Sequence, residues 1–418
     1  MNAPTEVQRR TVLNHVLSVI DRKFMGAEPD TNALREKHEE KVARAQTRAE
    51  FEDALNHMLR DLGASHVGFF HEATPRAAGR IAIAATFTKA DTSDGQRWIF
   101  QDVHPGGIAE AAGIRPGDVL LRIGEKEYVP PDATPFTLGE TYDLTVRRAD
   151  GSTSNARLTI PGSKEKKRPI VIPERVVTAS KLDGGIGLIR ISMFPGVLGM
   201  DVARDINRAV NDLACDRLIF DLRGNTGGGI GCLRVMSHLC ADRRGVGYSV
   251  TRDMMKNGFD KDRLPAFDRI PSSKLGVVPL IFRFAIPRRR SVAVFTECLG
   301  DQRHHGRVVV LVNEHSASAA EMVAAFASEG RVAALVGSKT AGRLVAASAY
   351  KVGEGYRVVL PVAAFFTWAG TNLEGRGIEP EYSQALSLDA IREGHDTQLA
   401  RARSLLFDMG DATGVSRN

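Results

Sequence analysis

The 418 residues carry 56 Lys and Arg against 50 Asp and Glu, a net charge of +6, with 43% hydrophobic and 25% charged residues. Such a length calls for two or three domains with sizeable cores, and no apolar run of about 18 residues is present to span a membrane. The basic clusters Lys164-Glu165-Lys166-Lys167-Arg168 and Arg288-Arg289-Arg290 sit beside prolines without interleaved aromatics, which argues against a nucleic-acid groove.

From Val7 to Leu62 the apolar residues recur at helical spacing. Val12, Val16 and Ile20 form one stripe, and Phe51, Leu55, Met58, Leu59 and Leu62 another. Between them Leu34 to Arg48 is highly charged, a solvated helix face or an extended connection. Residues 1–75 are therefore expected as an N-terminal helical region, closed by Gly63 and a loop-to-strand passage through His66 to Phe70.

Residues 80–162 change to short strands at Trp98-Ile99-Phe100, Val119 to Ile123, Tyr142 to Arg147 and Ala156 to Ile160. Asp150-Gly151 is the hairpin signal between the last two. A Lys- and Pro-rich stretch, 163–180, is the expected linker. From 181 to 405 strands alternate with helices: strands at Ile186–Ile191, Arg217–Leu222, Val308–Val312, Ala333–Gly337 and Tyr356–Pro361, helices at Met200–Leu213, Cys232–Cys240 and Ala319–Glu329. That rhythm predicts an α/β core with a mostly parallel sheet, interrupted by an irregular insertion at about 253–303. Leu280-Ile281-Phe282 and Phe284-Ala285-Ile286 in this insertion suit a lid, an assembly surface or a plain surface excursion.

The four cysteines (Cys215, Cys232, Cys240, Cys298) lack metal-binding spacing and are expected as reduced thiols. No apolar run follows the charged N-terminus, so no signal peptide and a cytoplasmic location are expected.

Chemistry concentrates at two strand ends. Val308 to Val312 runs into Asn313-Glu314-His315-Ser316-Ala317-Ser318 and then a helix. A serine there exposes its hydroxyl at the carboxyl edge of the sheet, beside unpaired helix N–H groups. Ser318-x-x-Glu321 also fits a plain capping box. Ile219 to Leu222 runs into Arg223-Gly224-Asn225-Thr226-Gly227-Gly228-Gly229. Its glycines match neither nucleotide-binding register, leaving an oxyanion-binding turn or a purely steric one.

Asp-Leu-Arg-Gly-Asn-x-Gly-Gly at 221–228 and Ser-Ala-Ser-Ala-x-Glu at 316–321, followed by Val336 to Gly342 and Leu373-Glu374-Gly375-Arg376-Gly377-Ile378-Glu379-Pro380, resemble the tail-specific (C-terminal-processing) serine protease family. That family also contains tricorn protease. The resemblance implies a serine peptidase with Ser318 as nucleophile and the Gly227-Gly228 turn at the oxyanion. His104 to Leu120 looks like the helix-turn-strand signature of a PDZ domain, which implies that residues 80–162 bind an extended peptide.

Many members activate the serine with a Lys placed where this chain has Arg343, which stays protonated. A branch with a Ser-His-Glu triad instead carries Leu-Gly-x-x-His and Leu-Glu-Gly motifs. Both occur here, as Leu62-Gly63-Ala64-Ser65-His66 and Leu373-Glu374-Gly375. The resemblance thus implies His66 as base and Glu374 as the group that orients it. The alternatives are Lys339 as base and a catalytically silent peptide- or ligand-binding homologue. Expected besides are a polypeptide substrate, no metal or organic cofactor, no nucleic acid and no membrane span, with homo-oligomerisation left open.

Overall fold

The computed structural model describes residues 4–73, 79–131, 136–162, 173, 175–285, 291–304 and 306–408. These residues form three sheets, and the main apolar cluster joins two of them. The sheet that carries the chemistry runs in the order Tyr382–Ser383, Ala334–Gly337, Arg307–Val312, Arg217–Asp221, Ile186–Ile191, Val177–Leu182. Every adjacent pair is parallel except the last.

Its central strands are apolar at consecutive positions because both faces are covered. Leu218, Phe220, Val308 and Val310 face the cluster holding the helices Met200–Leu213 and Ala319–Glu329. Ile219, Val309 and Leu311 face Ala402, Leu405 and Leu406 of the helix Thr397–Asp408.

The second sheet joins distant parts of the chain. Tyr356–Thr367 pairs antiparallel with Gly68–His71, Gly245–Thr251 and Val345–Gly353. The helices Glu6–Lys23 and Arg48–Arg60 pack onto it, and Thr31–Arg44 packs against those two helices. Val12, Val16, Ile20, Phe51, Leu55 and Met58 share a cluster with Val352, Tyr356, Val358 and Leu360. The expected N-terminal helical region thus ends in a strand of a sheet otherwise built from residues after 244. The charged stretch after Leu34 is helix, with Leu34, His38 and Val42 buried.

The third sheet is antiparallel and orders Ala85–Thr92, Gly95–Val103, Val119–Ile123, Thr141–Arg147 and Thr153–Thr159, with the short helix Ile108–Ala111 against it. Gly151 turns the last hairpin at φ 81°, and Asp150 Oδ1 accepts from Ser152 N–H at 2.9 Å.

Two expected boundaries are corrected. Most of the expected linker 163–180, with the basic cluster 164–168, lies outside the described residues, but 177–180 belong to the strand Val177–Leu182. The insertion is not uniformly irregular, because Val292–Phe295 and Ala266–Phe267 pair into the second sheet.

Candidate active site

The parallel register Asp221↔Leu311 brings two strand ends to one edge of the sheet. From there the turn after Asp221 and the loop after Val312 leave side by side and lock together. Asn313, fully buried, accepts from Gly224 N–H at 2.9 Å and His315 N–H at 3.1 Å. Ser316 Oγ donates to Leu222 O at 2.7 Å and accepts from Asn313 N–H at 2.9 Å, so this serine is committed to the loop. Asp221 beneath the turn is buried with Arg223 and pairs also with the partly exposed Arg190. Burial raises its pKa, but the two guanidiniums overcome that and hold the carboxyl well below its usual range.

Ser318 caps the helix Ala319–Glu329 with φ 55° and ψ −115°, a conformation disfavoured for a side chain with a Cβ and held only by its surroundings. Those surroundings centre on Glu321, which has no exposed surface. Its Oε2 accepts from the N–H groups of Ser318 at 3.0 Å and Arg343 at 2.8 Å. Its Oε1 accepts from Thr340 Oγ1 and Gly342 N–H, both at 2.7 Å. The Ser-x-x-Glu spacing therefore does cap the helix, and the cap fixes the serine backbone.

The glycine turn lies directly on the serine. A Cβ on Gly227 would sit 2.6 Å from Ser318 Cβ, and one on Gly228 would sit 2.0 Å from Phe194 O, so neither position admits a side chain. Gly227 N–H, expected as a ligand donor, is given instead to Asn225 Oδ1 at 2.8 Å. The N–H groups of Gly228 and Ala319 have no acceptor among the described residues.

His66 lies in the turn between the helix Arg48–Arg60 and the strand Gly68–His71, at φ 56°. Glu374 reaches that turn with both oxygens: Oε1 accepts from Ser65 N–H at 2.8 Å, and Oε2 accepts from Ser65 Oγ at 3.0 Å. Ser65 Oγ is 2.7 Å from His66 Nδ1. With the Ser65 hydroxyl proton given to Glu374, Nδ1–H donates to Ser65 and Nε2 keeps the lone pair. Glu374 therefore acts on His66 through Ser65, a residue not singled out from sequence although it adjoins His66 in the Leu-Gly-x-x-His motif.

The His66 ring reaches the surface, yet burial of the ring lowers its pKa below the ordinary imidazole value. Glu374 pulls it up and Arg343 pushes it down. The two halves of the site meet at consecutive peptides, since Arg343 N–H binds Glu321 while Leu344 N–H donates to Glu374 Oε2 at 2.9 Å. No hydrogen bond joins His66 to Ser318 among the described residues, and such contacts often tighten only with substrate bound.

Lys339 points elsewhere, its Nζ 2.9 Å from Glu379 Oε1 in an exposed ion pair. His71 accepts from Ala73 N–H and stacks edge-on against Tyr356. No cluster of His, Cys, Asp and Glu suited to a metal occurs among the described residues.

A serine at positive φ between a buried parallel strand and a helix, over a glycine turn, is the arrangement of a nucleophile in an α/β protein. Residues 185–384, just under half of the chain, match peptidase family S41, and the chain resembles members of it. It is 27% identical over 314 residues to the carboxy-terminal processing protease CtpA of Bacillus subtilis (strain 168), covering 73% of this chain and 57% of that protein. It is 25% identical over 374 residues to putative tricorn protease homolog 2 of Streptomyces coelicolor, covering 84% of this chain and 28% of the relative. The chain thus spans little more than half of the first relative and a smaller part of the second. Its fold resembles that of the photosystem II D1 C-terminal processing protease, with a TM-score of 0.57 at 18% identity, over 98% of this chain and 99% of the other.

Proposed function

We propose that the protein is a serine endopeptidase of the tail-specific type, acting through an acyl-enzyme on Ser318. His66 Nε2 takes the Ser318 hydroxyl proton as Oγ attacks a peptide carbonyl. The N–H groups of Gly228 and Ala319 receive the oxyanion, and His66 then gives its proton to the leaving amine. Water, activated by the same imidazole, releases the acyl group. Glu374 steadies the imidazolium through Ser65. The antiparallel sheet between Ala85 and Thr159 serves as a PDZ-like module that engages substrate by strand addition.

The observation that carries this reading is the hydrogen-bonded chain Glu374–Ser65–His66, which leaves Nε2 as the free base. The Lys339 alternative is weakened by the ion pair with Glu379. Casein hydrolysis tests the proposal: Ser318→Ala abolishes it with the fold intact, His66→Ala cripples it, and Lys339→Ala leaves it near wild type. Undiminished turnover in Ser318→Ala would sink the proposal, and loss in Lys339→Ala alone would return the dyad.

A further inference from the structure

The segment from Arg269 to Arg290 holds six Lys or Arg and no Asp or Glu in 22 residues. Within it the chain winds helically over Val277–Leu280 and continues in wider turns over Ile281–Ala285. Residues three and four apart share a face of such a winding. Leu280 and Phe284 turn inward, packing against the main core cluster, with the Phe284 ring 6.2 Å from Phe267. Val278, Ile281 and Phe282 turn outward with Leu275 one turn earlier, and are 46%, 43%, 66% and 82% exposed.

The element is apolar on two sides, and the core covers only one. The other large exposed apolar side chains, such as Val7 and Phe407, lie apart from it in sequence, whereas these four are consecutive positions of one face. Exposed Lys274 and Arg283 adjoin these positions in sequence, with the Arg283 guanidinium 5.5 Å from the Phe284 ring centroid. Arg288-Arg289-Arg290 follow in sequence, outside the described residues.

Charge selects the occupant. A second copy docking by twofold symmetry would set this patch against itself, cation against cation, with no carboxylate in the segment to answer them. An anionic lipid surface satisfies both features, because acyl chains receive the apolar side chains while headgroups pair with the adjoining cations. We propose that this face rests in the plane of an anionic membrane surface, inserting Leu275, Val278, Ile281 and Phe282 with Lys274 and Arg283 at headgroup level. It lies on the surface without crossing, as no helix among the described residues is long and apolar enough to span.

Co-sedimentation of the full chain with vesicles tests this independently of peptidase activity. Binding to phosphatidylglycerol–phosphatidylcholine vesicles is expected to exceed binding to phosphatidylcholine alone by about tenfold and to weaken as salt is raised. Ile281→Glu with Phe282→Glu is expected to cut it by about tenfold or more, while Val7→Glu, at an exposed apolar site elsewhere, leaves it unchanged. If the double variant misfolds by circular dichroism, Leu275→Glu alone carries the test. Wild-type protein that ignores phosphatidylglycerol vesicles, or outward-face variants that bind as wild type, would overturn the proposal. A concentration-dependent dimer dissolved by Phe282→Glu, without vesicle binding, would assign the face to a second copy instead.

Discussion

Glu321→Gln isolates the anchor of the proposed nucleophile, Ser318. The carboxylate is buried, and its four hydrogen bonds divide between Oε1 (Thr340, Gly342) and Oε2 (Ser318, Arg343). Glutamine has the same shape, but its NH2 must occupy one of those positions and accepts nothing there. Two hydrogen bonds to a charged acceptor are lost, each worth about 1.5–3 kcal/mol, so the core is expected to lose about 3–6 kcal/mol. In the Oε2 position a donor then faces two N–H groups, which favours the upper part of that range. In the Oε1 position the Thr340 hydroxyl can turn to accept, and the loss falls at or below the lower part. If the NH2 takes the Oε2 position, the Ser318 N–H loses its acceptor, the φ 55° conformation is less firmly held, and turnover falls together with stability. Urea unfolding of the core, followed by far-UV circular dichroism beside kcat/KM on a peptide, reads both effects. A loss below about 1 kcal/mol with unchanged kcat/KM would refute Glu321 as the anchor.

In the proposed mechanism the neutral form of His66 is the base, so kcat/KM is expected above its pKa and lost below it. Because burial lowers that pKa, the acid limb is expected below the ordinary imidazole value. Arg343→Ala should move the limb upward and Glu374→Gln downward, as read from kcat/KM against pH. Ser65→Ala removes the hydroxyl between Glu374 and Nδ1 but keeps the backbone N–H contact, so kcat should fall about 100-fold with little change in melting temperature. Gly228→Ala places a Cβ 2.0 Å from Phe194 O at φ 134°, and is expected to cost about 2–4 kcal/mol in a denaturation experiment and to abolish turnover.

Elements with strong periodicity or continuous apolar runs are legible from the residues alone. The helix Met200–Leu213 stands close to its expected bounds because its apolar residues recur on one face, and the strands Arg217–Asp221 and Arg307–Val312 because burial on both faces leaves an unbroken apolar signature. Four strands lack such a signature. Val345–Gly353 is rich in Ala and only partly buried, Ala85–Thr92 and Val177–Leu182 carry polar residues, and Gly245–Thr251 opens on glycines. Their conformation comes from partners such as Tyr356–Thr367, often far away in sequence, and not from local preference.

At the site, Ser318 can be read from a strand-loop-helix passage, and His66 and Glu374 from family motifs. The Ser65 bridge cannot, because its hydroxyl meets a carboxylate 309 residues away. The loss of Gly227 as a donor is equally hidden, since it depends on the rotamer of Asn225 and not on the glycine itself.

Reaction with a fluorophosphonate probe, with the adduct located by peptide mass spectrometry, tests the central claim most directly. The expected adduct is on Ser318, formed more slowly in His66→Ala and at the wild-type rate in Lys339→Ala. A folded protein that takes up no probe, or an adduct that persists in Ser318→Ala, would contradict the assignment of Ser318 as the nucleophile.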